Sequence, residues 1–121
     1  MIIGKLSKQG DHDRTSIPHV MQTNSIFERM RGLLGRKPLS PDQALLITSC
    51  SSIHTFFMQY QIDLAFINKN WQIKKLIHAL KPYRLAWAPG TSMVLEMPGG
   101  SIEKFNLKED TTLVWEERND L

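Results

Sequence analysis

Short apolar runs of strand length, bounded by turn-forming residues, constrain the fold of this 121-residue chain most. Four of them follow one another through the middle of the chain, at residues 44–48, 53–58, 62–68 and 71–78. Their β-branched and aromatic side chains favour strands over helices. Weaker patterns of the same kind predict further strands at residues 2–6, 17–22, 93–97 and 111–116.

One helix is predicted, over residues 24–35. Ser25 followed by Glu28 fits a capping box, in which each side chain accepts a hydrogen bond from the other residue's backbone N–H. The apolar side chains after it fall near one helical face, which we expect to pack on the core: Ile26, Met30, Leu33 and Leu34. Gly35 can end the helix, and the prolines that follow forbid its continuation.

The order of these elements defines a fold class. Many short strands, one helix in the N-terminal half, a short helical turn at 101–107 and no β-α-β alternation favour an α+β domain with a mostly antiparallel sheet. A barrel-like closure would remove the exposed edges of such a sheet. The length suits a single domain over residues 1–121, and residues 81–92, with two prolines and a glycine, are expected to form a loop.

Composition excludes several function classes. Fifteen basic and twelve acidic side chains give a net charge of +3, too small to indicate a nucleic-acid partner. No apolar run reaches the roughly 20 residues of a membrane span, and the polar start lacks a signal peptide's apolar core, so a cytoplasmic protein is the simplest interpretation. The single cysteine, Cys50, excludes an intramolecular disulfide and every zinc motif built on paired cysteines.

The segment from Ser49 to Met58 has the densest chemical content. Cys50, His54 and Met58 are spaced by four residues, and thiolate, imidazole and thioether together suit copper(I). On a strand, however, each step of four covers about 13 Å, too far for a shared ion. A metal site would therefore need a bend at Ser51-Ser52, or ligands from elsewhere in the chain such as His78.

Two other interpretations of this segment stay open. Cys50 could act as a nucleophile, activated by His54 and oriented by Asp63, although no oxyanion-hole motif is evident. Alternatively, all three groups are structural: Cys50 is a small buried hydrophobe, Met58 fills the core and His54 is hydrogen-bonded within the sheet.

Asp63 stands in a run that is apolar on both faces of a strand. Alternation places it beside Ala65 and Ile67, opposite Ile62 and Leu64. A carboxylate there must be paired or lie at the strand's end. The candidate partners are the side chains of His54, His78 and Arg84 and nearby backbone N–H groups. Asp63 is thus either a structural cap or a ligand-binding carboxylate.

Three weaker features have competing explanations. A cluster of cations, Arg29, Arg31, Arg36 and Lys37, is either an anion-binding patch or a solvated helix end. Gly99-Gly100 before a short helix is either a phosphate cradle or a turn. The aromatic residues of the loops, Trp71, Tyr83 and Trp87, form either a surface for stacking sugars or peptides, or loop packing.

Several segments follow one another in a distinctive order over roughly residues 20–115: residues 31–36, 44–47, 52–58, 62–66, 80–84 and 94–100. In this order they resemble domain-of-unknown-function family 192. It implies a compact, strand-rich α+β domain. It implies no reaction, because the family has no established activity.

The sequence therefore favours a non-enzymatic ligand-binding or accessory module. Its expected site lies near His54, Met58, Asp63 and Arg84, takes a small ligand or a protein partner and requires no cofactor; the oligomeric state stays open. The alternative is a cysteine- or metal-dependent enzyme that uses Cys50 and His54, with Met58 as a third metal ligand.

Overall fold

The computed structural model describes residues 1–10, 16–33, 37–56 and 58–118. Among these residues, nine strands and two short helices follow one another along the chain. In order they are β1 (Ile2–Lys8), β2 (Ile17–Gln22), α1 (Ile26–Arg31), β3 (Gln43–Thr48), β4 (Ser52–His54), β5 (Ile62–Ile67), β6 (Ile73–Leu80), β7 (Leu85–Trp87), β8 (Met93–Pro98), α2 (Ser101–Lys104) and β9 (Leu113–Glu117).

Seven strands form one curved sheet in the order β6-β5-β8-β3-β2-β1-β9, while β4 and β7 pair as a separate ribbon. The β2–β3 pair is parallel and the other pairs are antiparallel. The sheet curls into a half-barrel, and a bridge between Gln72 and Thr112 joins its two edges at one end. The expected α+β fold with a mostly antiparallel, barrel-like sheet is confirmed.

Both faces of the sheet are covered, which explains why β5 is apolar on both sides. Ile62, Leu64 and Phe66 pack in one cluster together with Ala86 of the ribbon. Ala65 and Ile67 pack in the other, together with residues of α2 and the loop that follows it. Along each strand, successive side chains alternate between these two cores. We call them the ribbon-side core and the α2-side core.

Helix α1 begins as the sequence predicts but is shorter. The Ser25 Oγ accepts the Glu28 backbone N–H at 3.2 Å, as expected of a capping box. The Glu28 carboxylate accepts the N–H of Asn24 instead of that of Ser25. The helix ends before Gly32, whose φ is +53°. Gly35, predicted to end it, lies outside the described residues.

The prediction that the apolar face of α1 packs on the core is wrong. Ile26 and Met30 are 64% and 76% exposed, and Phe27 beside them is more exposed still. Leu33, beyond the end of the helix, enters the ribbon-side core, and Leu34 lies outside the described residues. With six residues, α1 is too short to turn a long stripe onto the sheet, so its apolar side chains stay at the surface.

Two local predictions also need correction. The strand predicted over residues 53–58 ends at His54. The predicted loop at 81–92 contains β7, whose three residues lie between two prolines. The hairpin between β5 and β6 has a left-handed residue at Trp71, and the Asn68 side chain accepts the N–H groups of Asn70 and Gln72.

Candidate functional site

A cavity of ≈ 200 Å³ lies on the ribbon side of the sheet, between α1 and β4. Its wall is built from the end of α1, from β3 and β8 beneath, and from the segment that leads through β4. The residues that line it are Arg29, Met30, Arg31, Gly32, Leu33, Ile47, Cys50, Ser52, Ile53, His54, Met58 and Glu96. Cationic, anionic, sulfur and apolar groups thus share one enclosure.

The cavity brings Cys50, His54 and Met58 around the same space. Cys50 follows Ser49, whose φ of +52° turns the chain after β3, and β4 then lasts only three residues. The spacing of a long, straight strand therefore does not apply to these three side chains. Among the described residues, however, no group of three histidine, cysteine, aspartate or glutamate side chains is placed to hold a metal ion.

Met58 is buried within the cavity wall, whereas His54 lies at the protein surface. Met58 is buried in the ribbon-side core, as its structural interpretation expects. His54 is exposed, and its Nδ1 accepts the Phe56 backbone N–H at 3.3 Å, so its ring is oriented by its own turn. The rings of His54 and Phe56 are 5.2 Å apart. His54 therefore stands at the mouth of the cavity.

Glu96, which the sequence analysis did not single out, is the most unusual group in the wall. It lies on β8 between β5 and β3, opposite Leu64 and Leu45, and is only 4% exposed. One of its carboxylate oxygens is 3.1 Å from the point where a side chain on Gly32 would begin. A nearly buried carboxylate carries a large desolvation cost, so its position at the cavity wall constrains what can bind there. Glu96, like Asp63, is a carboxylate within an apolar run, and this feature of the sequence marks both residues.

The environment of Cys50 disfavours a reactive thiolate. Burial raises the pKa of the thiol above its ordinary value of 9.0, a backbone hydrogen bond at Ser52 lowers it by less, and the charge of Glu96, the smallest of the three effects, raises it. Reactive cysteines instead lie beside cations or helix N-termini, where the thiolate is stabilised. The nucleophile hypothesis therefore has no support from the charges around Cys50.

We predict that Cys50 reacts slowly with iodoacetamide at neutral pH. Each unit by which the pKa is raised lowers the thiolate fraction about tenfold, so alkylation should be slower than in N-acetylcysteine and should keep accelerating above pH 9.0. Mass spectrometry of timed samples measures the rate. The chain unfolded in guanidinium is the matched control and should react faster. Equal rates for native and unfolded chains would contradict the assignment.

Asp63 lies on the other face of the sheet, in the α2-side core. It is 1% exposed. One carboxylate oxygen accepts the N–H of Ala79 at 2.8 Å, and the other accepts those of Gly100 and Ile102 at 3.1 and 2.9 Å. Of the candidate partners, these backbone groups bind it, and the described side chains of His54, His78 and Arg84 do not. This carboxylate ties β6 and the start of α2 to β5.

Arg84 lies in the loop between β6 and β7, beside the ribbon. Its guanidinium donates to the carbonyls of Pro82 and Tyr83 in its own loop. Thr55 holds that loop, because its hydroxyl donates to the Lys81 carbonyl and accepts the Arg84 N–H. Of the four predicted site residues, the cavity thus brings together His54 and Met58, and Asp63 and Arg84 lie elsewhere.

The remaining candidate features of the sequence lie partly in the cavity wall and partly elsewhere. Arg29 and Arg31 line the cavity, Lys37 is exposed nearby along the chain and Arg36 lies outside the described residues. The N–H of Gly100 is directed to Asp63. Tyr83 and Trp87 are exposed, whereas Trp71 packs against the α2-side core. No helix in the described residues is long and apolar enough to cross a membrane.

Comparisons with known proteins agree on the fold. A crystal structure of a "putative transcription regulator" from Sinorhizobium meliloti 1021 superposes with a TM-score of 0.80 at 16% identity, covering 93% of both chains. A protein of unknown function from Novosphingobium aromaticivorans DSM 12444 superposes at 0.76 with 19% identity, covering 93% of this chain and 85% of its own. No curated protein matches the chain. The model of domain-of-unknown-function family 192 (DUF192, uncharacterized ACR) matches residues 7–115, and the chain therefore belongs to that family.

Proposed function

We propose that this chain is a non-enzymatic binding module and that the cavity between α1 and β4 holds a small organic zwitterion of amino-acid size. The observation that carries the proposal is the composition of the cavity wall. A nearly buried carboxylate, Glu96, faces the same space as Arg29 and Arg31, with apolar and sulfur side chains between them. A ligand that carries both charges around a short apolar body matches such a wall.

The size of the cavity supports a small ligand. The cavity volume is ≈ 200 Å³. Pockets for drug-sized molecules begin at roughly 300 Å³. A free amino acid or a compound of similar size is therefore a better match than a nucleotide or an oligosaccharide.

The charges of the wall suggest an orientation. Arginine side chains bind carboxylates through paired N–H groups, and Arg29 and Arg31 come from the end of α1 at the rim. An ammonium group would then point toward Glu96 on β8. The buried side chains of Leu33, Ile47 and Met58 would contact the ligand's carbon atoms. Water would be displaced from apolar surface as the two charges are matched.

The test is the substitution Glu96→Gln, which keeps the size of the side chain and removes its charge. We expect free amino acids to bind the natural chain and to bind the variant roughly 10- to 100-fold more weakly, because a charge-assisted hydrogen bond contributes about 1.5–3 kcal/mol. Isothermal titration with a panel of amino acids measures this directly. Simple amines and simple carboxylates serve as single-charge comparisons and should bind more weakly than the zwitterions.

Glu103→Gln is the matched control. Glu103 lies on α2, is exposed and does not line the cavity, so this variant should bind like the natural chain. Circular dichroism of both variants establishes that the fold is kept. The proposal is wrong if no zwitterion in the panel binds, or if a folded Glu96→Gln variant binds as tightly as the control.

A further inference from the structure

The ribbon of β4 and β7 has one buried and one exposed face. Ile53 and Ala86 stand opposite each other and pack into the ribbon-side core. The other face carries Leu85, opposite His54, and Trp87, opposite Ser52. Both apolar side chains are close to 60% exposed. In a half-buried sheet the apolar side chains normally face the core. In this ribbon the large side chains of Leu85 and Trp87 face outward instead.

Two aromatic rings extend this face beyond the ribbon. Phe56 and Tyr83 are stacked with their ring centroids 6.3 Å apart, and both are exposed. We define the ribbon face as Phe56, Tyr83, Leu85 and Trp87. Contiguous exposed apolar side chains of this kind mark interaction sites, whereas scattered single ones do not.

The stretch of chain that contains β7 and most of the ribbon face is rich in cations. Residues 64–95 contain no aspartate or glutamate and five cations: Lys69, Lys74, Lys75, Lys81 and Arg84. The acids that flank this stretch, Asp63 and Glu96, are both buried. Lys75 Nζ reaches the Trp87 carbonyl at 2.9 Å, and Arg84 lies between Tyr83 and Leu85. Apolar groups and these two cations are therefore interleaved on the ribbon face, whereas Lys74 pairs with the exposed Asp110.

Hydrogen bonds from Thr55 fix the loop that carries part of the ribbon face. Thr55 is fully buried, its backbone N–H donates to the Arg84 carbonyl, and its own carbonyl accepts the N–H of Tyr83. Its hydroxyl makes the two further bonds to Lys81 and Arg84 described above. A loop fixed in this way loses little conformational entropy when it binds, which favours affinity.

We propose that the ribbon face docks an acidic segment of a partner protein that also carries apolar side chains. Charge complementarity selects the acidic partner, since Lys75 contacts the Trp87 carbonyl and Arg84 lies between Tyr83 and Leu85. Tyrosine, tryptophan and arginine are the residue types that dominate binding energy in protein interfaces, and all three are present here. A second copy of this chain is disfavoured because it would bring like charges together. This inference is independent of the ligand proposed for the cavity.

A peptide selection tests the proposal. Phage-displayed random peptides are selected against the immobilised full chain, and the enriched sequences are then titrated by fluorescence anisotropy. We expect enrichment of aspartate and glutamate next to aromatic or aliphatic residues, and weaker binding at higher salt. Trp87→Ser and Arg84→Glu should each weaken the selected peptides by about tenfold or more. Both side chains are exposed, so these variants should fold, which circular dichroism checks.

Two control variants match these substitutions in chemistry. Val114→Ser removes an exposed apolar group from β9, and Lys108→Glu reverses an exposed charge in the loop after α2. Both should leave binding unchanged. Enriched peptides without an excess of acids would overturn the proposal, as would equal binding to the ribbon and control variants. Oligothymidylate or anionic vesicles binding through Trp87 and Arg84, with no peptide selected, would overturn it in favour of nucleic acid or a membrane.

Discussion

Replacing Asp63 with alanine is expected to lower the free energy of unfolding by about 3–5 kcal/mol, a large part of the 5–15 kcal/mol typical of a small protein. The carboxylate accepts three backbone N–H groups, from Ala79, Gly100 and Ile102, at distances between 2.8 and 3.1 Å. Alanine would leave these donors without an acceptor in a site that is closed to water. Unfolding in urea, followed by tryptophan fluorescence, measures the change.

Two further variants separate this effect from a general loss of charge. Asp63→Asn keeps the size and one accepting oxygen but presents an amide N–H₂ to the other donors, so we expect about half the loss. Asp110→Ala removes an exposed carboxylate that pairs with Lys74 at 2.6 Å and should cost less than about 1 kcal/mol. An Asp63→Ala chain as stable as the Asp110→Ala chain would contradict the structural role of Asp63.

Replacing Gly32 with alanine is expected to cost about 2–3 kcal/mol and to disturb the cavity. The φ of +53° at Gly32 is one that residues with a side chain rarely adopt, which costs about 1–3 kcal/mol. The added Cβ would also lie 3.1 Å from a Glu96 carboxylate oxygen and 3.4 Å from the Ile47 side chain. The Glu96 side chain or the end of α1 must then give way, which changes the wall of the cavity. Thermal unfolding and zwitterion titration measure the two effects.

Gly90 provides the matched control for this substitution. Its φ of +82° is also positive, but a Cβ there would meet nothing within 4 Å. Gly90→Ala should therefore show the conformational cost without the crowding, and it should leave ligand binding unchanged. If the two alanine variants have the same stability and the same affinity, Gly32 has no special part in shaping the cavity.

Much of the fold could be predicted from the sequence because its signals are local. The apolar run of β5 predicts a strand that is buried on both faces. The structure has a hydrophobic core on each side of this strand. The capping residue Ser25 fixed the start of α1. In contrast, β7 has only three residues, and its pairing with β4 is set by contacts between segments distant in sequence. Short strands of this kind carry too few residues for a periodic pattern to emerge.

The candidate site was only partly predictable. His54 and Met58 were placed in it, and so was Cys50, but the cavity that joins them depends on the turn at Ser49, which no local pattern indicates. The sequence marks Asp63 as a carboxylate in an apolar strand, and strand alternation predicts the correct face of the sheet for its side chain. That alternation directs it away from the cavity, toward backbone N–H groups of α2 and β6. Which buried carboxylate faces a cavity is decided by the tertiary packing on each side of the sheet.

The most direct test of the proposed binding module is a map of where a zwitterion binds. Amide proton–nitrogen correlation spectra of the labelled chain, recorded with increasing concentrations of the tightest amino acid from the titration panel, provide that map. We expect shifts at Gly32, Cys50, His54 and Glu96, around the cavity, and none at Gly100 or Leu107 across the sheet. Shifts that avoid the cavity residues, or unchanged spectra with every amino acid tested, would contradict the account.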